Sequence, residues 1–264
     1  MAVKRARIAA VANEKGGVGK SAMVINLGAA LSRMKNRVLI VDMDPQHNAG
    51  SGLGIEISED EPSVYDLITS PENSKASDAV RRSRWEGLEL LPSHVDLSGA
   101  EVELVDQKGR EERLKTALSA LVDDYDVVLM DTPPSLSLLT INVFAACSEV
   151  LVPCQTQPYA FRALEDLFDT VDAVAEDINP ELRISGVVAT FYDQRTRVSR
   201  MIFDRLRADD RYSRLLYDTV IRSNTTIAAS SEAGKPVVFY RSTSNGARDY
   251  NALAQEFIKR GSRR

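Results

Sequence analysis

Short continuous apolar runs alternate along this chain with longer segments whose apolar residues recur at helical spacing. The short runs are typical of strands buried on both faces of a parallel sheet, and they lie at 8–12, 37–42, 88–92, 126–131, 150–153 and 184–191. Helices are predicted at 22–31, 64–69, 76–84, 98–122 with a break at Gly109, 137–146, 161–177 and 247–259. This alternation predicts an α/β fold, a doubly wound and mostly parallel sheet with helices on both faces.

Length and composition agree with one globular domain over residues 1–264, which ends in a basic tail at 259–264. Hydrophobic residues make up 44% of the chain and charged residues 27%, which excludes a disordered or fibrous protein. The formal net charge of −5 argues against a wholly basic nucleic-acid-binding protein, but it leaves room for a local basic patch.

Two further composition features concern the cellular compartment. Cys147 and Cys154 lie in or beside apolar runs without the spacing of a zinc or redox site, so we predict buried free thiols. The N-terminus lacks the apolar segment of a signal peptide, and no apolar run approaches the length of a membrane span. We therefore predict a cytoplasmic protein.

A glycine-rich stretch, Asn-Glu-Lys-Gly-Gly-Val-Gly-Lys-Ser at 13–21, joins the first predicted strand to the first predicted helix. Glycines let consecutive backbone N–H groups turn toward an anion, and the helix adds the positive end of its dipole. Lys20 is suited to the β- and γ-phosphates of a nucleotide, and Ser21 to Mg²⁺. Glu14 replaces the first glycine of the generic phosphate-loop pattern, and Lys15 is an additional lysine. The predicted nucleotide contacts are Lys15, Gly16, Gly17, Val18, Gly19, Lys20, Ser21 and Ala22.

Aspartates follow two of the apolar runs. The run at 37–42 ends in Asp42 and is followed by Asp44, and the run at 126–131 ends in Asp131. Because the carboxyl ends of parallel strands meet at one edge of the sheet, these side chains are expected near the phosphate loop. An aspartate after a strand is more often a cap, but beside this loop we predict that Asp131 holds Mg²⁺ directly or through water.

Three motifs together resemble the deviant Walker motifs of the ParA/MinD superfamily of ATPases. They are residues 15–21, the sequence Asp-Met-Asp-Pro-Gln at 42–46 and the sequence Asp-Thr-Pro-Pro-Ser at 131–135. Further segments resemble the ParA branch in the same order, at 51–54, 91–93, 97–101, 138–142 and 234–237. The resemblance covers nearly the whole chain, from residue 7 to residue 258, and implies a P-loop NTPase fold and a slow, partner-stimulated hydrolysis of ATP to ADP and phosphate.

The resemblance also implies roles for single residues. Lys15 matches a lysine that crosses the interface of an ATP sandwich dimer and contacts the nucleotide of the partner subunit, which would make dimerisation depend on ATP. With Lys20 it would be catalytic, together with Asp44, which matches the residue that orients the attacking water. Asp42 matches a residue that organises the Mg²⁺ shell, and Asn224 an adenine contact. The simpler alternatives are a solvated surface lysine at position 15 and a turn residue at position 44.

ParA-type dimers bind DNA without sequence preference, and this chain has an arginine-rich stretch where that surface is expected. From residue 183 to residue 222 there are nine arginines and five aspartates, a local net charge of +4. Arg195 matches a DNA-binding arginine of the family, and the predicted surface comprises Arg195, Arg197, Arg200 and Arg222. A solvated helix face is the alternative interpretation.

The chain departs from the family at several positions. The segment 221–226 reads Ile-Arg-Ser-Asn-Thr-Thr where the family has Ile-Pro-Arg-Asn-x-Arg, so the DNA surface is expected to differ there. Ala22 stands where a second hydroxyl residue is common, and His47 replaces a glycine.

The implied function is partitioning of a chromosome or plasmid on the nucleoid by an ATP-dependent homodimer with a ParB-like or other adaptor. The alternatives are positioning of a protein cargo, such as a chemoreceptor cluster or compartment, and a MinD-like spatial regulator. The last predicted helix has only a short apolar stripe, so membrane attachment is not expected. Rivals from other classes are a metabolic ligase, a redox protein like the nitrogenase iron protein, whose cysteine spacing is missing, and a DNA-binding scaffold with negligible turnover.

Overall fold

A computed structural model describes residues 6–58 and 60–262. The strands are β1 (Arg7–Val11), β2 (Val38–Asp42), β3 (Arg81–Arg82), β4 (Leu88–Leu91), β5 (Val127–Asp131), β6 (Glu149–Gln155) and β7 (Arg183–Thr190). The helices are α1 (Lys20–Arg33), α2 (Asn48–Gly52), α3 (Val64–Thr69), α4 (Ala76–Ala79), α5 (Leu97–Glu103), α6 (Arg113–Leu118), α7 (Leu138–Ala146), α8 (Ala160–Asp177), α9 (Arg197–Ala208), α10 (Thr225–Glu232), α11 (Val237–Tyr240) and α12 (Asn245–Gly261), with a 3₁₀ turn at Val122–Asp124.

The strands form a seven-stranded sheet in the order β3-β4-β2-β5-β1-β6-β7. Every pairing is parallel except that of the short edge strand β3 with β4. Side chains of each central strand alternate between the two faces: in β2, Leu39 and Val41 enter one core, and Val38 and Ile40 enter the other. Burial on both faces explains why these strands read as continuous apolar runs, and the predicted doubly wound α/β fold is confirmed.

Two predicted elements differ from the structure, and the break predicted at Gly109 is confirmed. The helix predicted at 76–84 ends at Ala79, because Arg81 and Arg82 pair with β4 as an edge strand. The segment 98–122 contains two helices, α5 and α6, separated by a turn in which Gly109 has a φ of 67°. The glycine-rich segment predicted as loop after β2 contains α2, whose first backbone N–H groups donate to a carboxylate at the end of that strand.

The C-terminal helix packs on the body of the protein. Leu253, Ala254 and Phe257 of α12 are fully buried in the same core as α1, which accounts for its apolar stripe. The basic tail predicted at 259–264 begins as the last turn of this helix, and residues 263 and 264 lie outside the described residues. In the described part of the chain, none of the helices has both the length and the apolar character that a membrane crossing needs.

Parallel strand order brings the predicted functional segments to one edge. Strand β5 lies between β1 and β2, and its register sets Asp131 beside Val11 on one side and beside Asp42 on the other. The loop after β1, the loop after β2 and the turn after β5 therefore meet at the carboxyl edge of the sheet. The two cysteines lie elsewhere in the core as free thiols, as predicted.

Candidate functional site

The loop at 12–19 runs from β1 to α1 and is anchored by a buried asparagine. Asn13 donates from Nδ2 to the carbonyl of Pro153 at 2.8 Å, and its Oδ1 accepts the backbone N–H of Lys15 at 2.9 Å. Gly17 and Gly19 have φ values of 75° and 93°, a region in which a side chain is strained. Sequence reasoning did not single out Asn13; its position one residue after an apolar run, where short polar side chains form such turns, is the available signal.

Lys20, at the first turn of α1, lies inside this loop with 6% of its surface exposed. Its Nζ donates to the carbonyl of Asn13 at 3.0 Å and to the carbonyl of Lys15 at 3.4 Å. Burial lowers the pKa of Lys20, while the carboxylates of Asp131 and Asp44 act in the opposite direction. A cation is thus held in the concave side of the loop, where a phosphate would meet it.

Asp131, at the end of β5, is fully buried. Within the described residues, neither of its carboxylate oxygens accepts a hydrogen bond of ordinary geometry. Burial raises the pKa of Asp131 to about 7; the nearby Ser21 hydroxyl lowers it in part, and Asp44 raises it further. A buried carboxylate whose hydrogen bonds fall short of ordinary geometry, next to a serine hydroxyl, fits a hard cation that takes oxygen ligands.

Asp42 has the opposite environment although it lies directly beside Asp131. Its Oδ1 accepts the backbone N–H of Asp44 at 3.1 Å, and its Oδ2 accepts those of Ala49 and Gly50 at 3.0 and 3.4 Å. Burial, followed by the charge of Asp131, raises the pKa of Asp42 well above its usual value. Asp42 therefore holds the segment 44–50 in place. Its carboxylate would affect a metal indirectly, by fixing the backbone of this segment.

Asp44 lies at the start of that segment and is 6% exposed. Its Oδ1 accepts the backbone N–H of Gln46 at 3.0 Å, and its carbonyl accepts the N–H of His47 at 2.8 Å, so the residue is fixed by a tight turn through Pro45. Asp44 lines a cleft of about 480 Å³, whose other walls include Gly16, Gly17, Gly19, Lys20, Ser21, Ala22 and Pro134. Six of the predicted loop residues and the carboxylate of Asp44 thus line a single cleft of nucleotide size.

Comparison with known proteins identifies the family of this site. Residues 6–184 match the family model described as an AAA domain. The sporulation initiation inhibitor protein Soj of Bacillus subtilis is 41% identical over 97% of this chain and 99% of its own length, and the chromosome partitioning protein ParA of Myxococcus xanthus is 37% identical over 96% and 88%. This chain belongs to the ParA family of P-loop ATPases. The predicted ATPase class and the ATP and Mg²⁺ cofactors are confirmed at the level of this family.

A solved structure provides the same fold under a different name. The cobyrinic acid a,c-diamide synthase of Mycobacterium smegmatis, with bound ADP and magnesium, is 36% identical over 97% of this chain and 96% of its own, with a TM-score of 0.83. Proteins similar to this chain thus carry names that indicate different reactions. The reaction of this chain has to be inferred from its own residues.

A second, smaller cleft of about 200 Å³ adjoins the phosphate loop of this ParA-family protein. It is lined by Gly19 and Ala22 on one side and by Asn224, Ile227 and Tyr250 on the other, among further residues. Asn224 caps α10, since its Oδ1 accepts the N–H of Thr226 at 2.8 Å, which leaves its amide nitrogen as the group available to a ligand. The predicted adenine contact thus lies within reach of the phosphate loop, in a mainly apolar slot.

Phe191 forms part of the same slot and was not anticipated from the sequence. It follows β7 with a φ of 50°, is 44% exposed, and has a ring atom 3.5 Å from the position that a Cβ on Gly19 would take. The hydroxyl of the preceding Thr190 donates to the carbonyl of Val18 at 3.0 Å, which ties β7 to the phosphate loop. A positive φ at a bulky residue has no signal in a single sequence.

Three of the four predicted DNA-contacting arginines lie together at the start of α9. Arg195 makes a two-pronged ion pair with Asp193 at 2.9 and 3.0 Å, and its side chain is 84% exposed. Arg200 donates to the carbonyl of Gln194 at 2.9 Å, and Arg197 is exposed at the first position of the helix. Asp193 and Arg195 stabilise each other's charged forms, which lowers the pKa of Asp193 to about 2.

The fourth arginine, Arg222, has a different environment. Its guanidinium pairs with Asp249 of α12, and its backbone N–H donates to the same carboxylate at 3.0 Å. The side chain of Asp249 is 8% exposed, so Arg222 neutralises a nearly buried charge and also lines the smaller cleft. Its positive charge is already matched within the fold.

Proposed function

We propose that this protein is a partitioning ATPase that dimerises on ATP, binds DNA without sequence preference as a dimer, and is released after hydrolysis stimulated by a ParB-like adaptor. The observation that carries this proposal is Lys15, an exposed residue at the mouth of a site that already holds Lys20 for its own nucleotide. In the described part of the chain the Lys15 ammonium makes no hydrogen bond or ion pair, so it is available to a second subunit. The name of the ParA relative from Myxococcus xanthus supports chromosome partitioning as the process.

Within the site, each group has one task. Backbone N–H groups of 16–21 and the Lys20 ammonium bind the phosphates, and Ser21 and Asp131 would hold Mg²⁺, which when bound neutralises charge on the β- and γ-phosphates. Asp44 would orient the attacking water, since its carboxylate is fixed by the turn at 44–47 and faces the cleft. Asn224 would contact the adenine.

The dimer is tested with Lys15→Ala. Sedimentation with ATP and Mg²⁺ should show a dimer for the wild type and a monomer for Lys15→Ala, while binding of a fluorescent ATP analogue by the monomer changes little. Lys35→Ala, at an 84% exposed lysine distant from the loop, is the matched control. A Lys15→Ala protein that dimerises as the wild type does would refute the assignment.

The hydrolytic role is tested with Asp44→Ala. This variant should retain ATP-dependent dimerisation, because the phosphate-binding groups remain. It should lose hydrolysis, because the carboxylate that orients the attacking water is removed. Phosphate release at the wild-type rate would remove Asp44 from the mechanism.

DNA binding is tested with Arg195→Ala. The variant should bind duplex DNA more weakly, and the dependence of log K on log salt should fall by about one unit because one phosphate contact is lost. Dimerisation should be unchanged. Identical binding isotherms across salt concentrations would remove Arg195 from the surface, and the same measurement applies to Arg197 and Arg200.

The family resemblance also allows cargo other than DNA and a metabolic reaction. Positioning of a protein cargo or MinD-like regulation would use the same ATP dimer, and localisation of a fluorescent fusion distinguishes nucleoid association in the cytoplasm from a protein-defined site. The diamide synthase similarity has its own test: phosphate release that depends on added cobyrinic acid would replace the partitioning proposal by a ligase.

A further inference from the structure

A pocket of about 430 Å³ lies beside the nucleotide cleft and shares Ser51 with it as a wall. Its lining comes from residues between 47 and 57, which follow β2, and from residues 92–95, which follow β4. These strands are parallel neighbours in the sheet, so the pocket is at the carboxyl edge, where ligands of such sheets bind. Its volume is within the range of about 300–1,000 Å³ that is usual for small-molecule sites. We call it the histidine pocket.

The most deeply buried polar group of the histidine pocket is the hydroxyl of Ser93. Ser93 is 1% exposed, and within the described residues its hydroxyl has no hydrogen-bond partner. A buried hydroxyl without a partner costs free energy, and a ligand that accepts its proton offsets that cost. Ser93 therefore indicates a ligand with an acceptor group at this depth.

Both histidines of the chain line the same pocket. The Nδ1 atom of His94 accepts the backbone N–H of Asp96 at 3.3 Å, so in the neutral ring the proton is on Nε2, which is then a donor. His47 has a φ of 44° at a position where the ParA family has a glycine, and a side chain in this conformation is strained. Its imidazole thus supplies the pocket with a polar group that the family residue lacks. The pocket has three groups that can donate to a carboxylate.

The remaining lining is one carboxylate and an aliphatic wall. Glu56 is exposed at the rim, and in the described part of the chain its side chain forms neither an ion pair nor a hydrogen bond. The aliphatic wall consists of Ile55, Ile57, Pro92 and Val95. A cationic group at the rim would pair with Glu56, and an apolar body would cover the wall.

Two other ligand classes fit this lining poorly. Neither lysine nor arginine lines the pocket, so a phosphate group would find no countercharge there. Among the residues that the structure describes, no three histidine, cysteine, aspartate or glutamate side chains are arranged to hold a metal ion. The lining instead matches an organic molecule with a carboxylate, a cationic group and an apolar body.

We propose that the histidine pocket binds a free α-amino acid with an aliphatic side chain. The ligand carboxylate accepts hydrogen bonds from the Ser93 hydroxyl and the two imidazoles, and the ligand ammonium pairs with Glu56 at the rim. The side chain of the ligand packs on the aliphatic wall. Each charge of the zwitterion is thereby matched, and the unpaired hydroxyl of Ser93 gains a partner.

The test is calorimetric titration of the full chain, without nucleotide, with L-leucine as the probe. Two analogues keep its side chain and lose one charge each: 4-methylpentanoate lacks the ammonium, and L-leucinamide lacks the carboxylate. L-leucine should bind at least about tenfold more tightly than either analogue, because each analogue leaves one side of the pocket unmatched. No binding at about 10 mM L-leucine, or equal binding of an analogue, would overturn the proposal.

Variants locate the bound amino acid. Ser93→Ala and Glu56→Gln should each weaken L-leucine binding at least about tenfold, and Glu56→Gln should leave the affinity for 4-methylpentanoate unchanged. Glu86→Gln, at a 94% exposed carboxylate outside the pocket, is the matched control and should bind L-leucine as the wild type does. Wild-type affinity in Ser93→Ala or Glu56→Gln, or equal weakening by Glu86→Gln, would refute the placement.

Thermal unfolding separates lost binding from lost folding. Without ligand, Ser93→Ala and Glu56→Gln should unfold at the wild-type temperature, because neither side chain has a partner in the described structure. L-leucine should raise the unfolding temperature of the wild type and of Glu86→Gln but not of these two variants. A rise of wild-type size in either variant would contradict the proposal. The inference goes beyond the partitioning function, and its failure would leave the tests of Lys15→Ala and Asp44→Ala as they stand.

Discussion

The nucleotide site and the arginine turn at 195–200 both carry clustered charges, but the fold treats them in opposite ways. Asp131 is fully buried and Lys20 nearly so, and backbone groups hold the neighbouring Asp42 in place. Arg195, by contrast, has a side chain that is 84% exposed and is held by Asp193, two residues away. Burial of the charges at the first site costs free energy, and their side chains are held in fixed positions. The charges at the second site are solvated, and their side chains can change conformation.

This contrast predicts how each region responds to substitution. A change in a buried, prepositioned group should alter chemistry or stability strongly, because water cannot replace its partners. A change in the exposed turn should alter only long-range attraction to a polyanion, and salt should diminish the effect. The substitutions below, from the largest expected effect to the smallest, test whether the two regions behave this differently.

Lys20→Met should reduce ATP hydrolysis by about 10²–10³-fold, because it removes the buried cation that we propose binds the transferred phosphate. Phosphate release under saturating ATP measures the effect, with Lys35→Met as the control for loss of a lysine. A reduction of less than tenfold would place Lys20 among the solvated charges and break the contrast.

Asp131→Asn should stabilise the protein by about 1–3 kcal/mol in EDTA without nucleotide, because it removes a buried carboxylate that accepts no hydrogen bond of ordinary geometry from the described residues. The pKa of this group is raised from 3.8 to about 7, so folding favours the protonated form, and the wild type loses stability as pH rises between these values. The gain should be small near pH 4 and greatest above pH 7, measured by urea unfolding. Mg-ADP should stabilise the wild type more than the variant; a variant less stable at pH 8 in EDTA would contradict the account.

Arg222→Ala should lower the free energy of unfolding by about 1–2 kcal/mol, because Asp249 is left nearly buried without its cation, although the arginine itself is partly solvated. Arg195→Ala should leave that free energy unchanged within error. Urea unfolding of both variants, next to their DNA affinities, sharpens the contrast: if Arg222→Ala weakens DNA binding as much as Arg195→Ala without loss of stability, the ion pair with Asp249 is not its main role.

Asp193→Asn should strengthen DNA binding by a factor of about three or less at low salt, because one carboxylate is removed from the arginine turn. The gain should vanish at high salt, and anisotropy titrations at two salt concentrations measure it. Since the pKa of Asp193 is lowered to about 2, pH changes above 5 should not reproduce the effect in the wild type. Weaker binding would mean that Asp193 is needed to orient Arg195.

Features that repeat along the sequence could be predicted, whereas features that depend on contacts between distant residues could not. The apolar runs predicted the central strands because burial on both faces leaves a mark on every residue of a strand. The edge strand β3 was missed because two residues are too few to show a period, and α2 because its glycines are characteristic of loops. Phe191 left no pattern, since a positive φ depends on neighbours far along the chain.

The sequence by itself determined the α/β class, the phosphate loop and the family, because strand periodicity and a contiguous motif are local properties. Only the tertiary structure decided that, within the described residues, Asp131 accepts no hydrogen bond of ordinary geometry while the adjacent Asp42 accepts three, and that Arg222 is paired with a nearly buried carboxylate while Arg195 is exposed. These differences concern how deeply each side chain is buried and which groups it pairs with. They follow from which strands and loops meet in space, and the same residue type therefore acquires different chemistry at positions that look alike in the sequence.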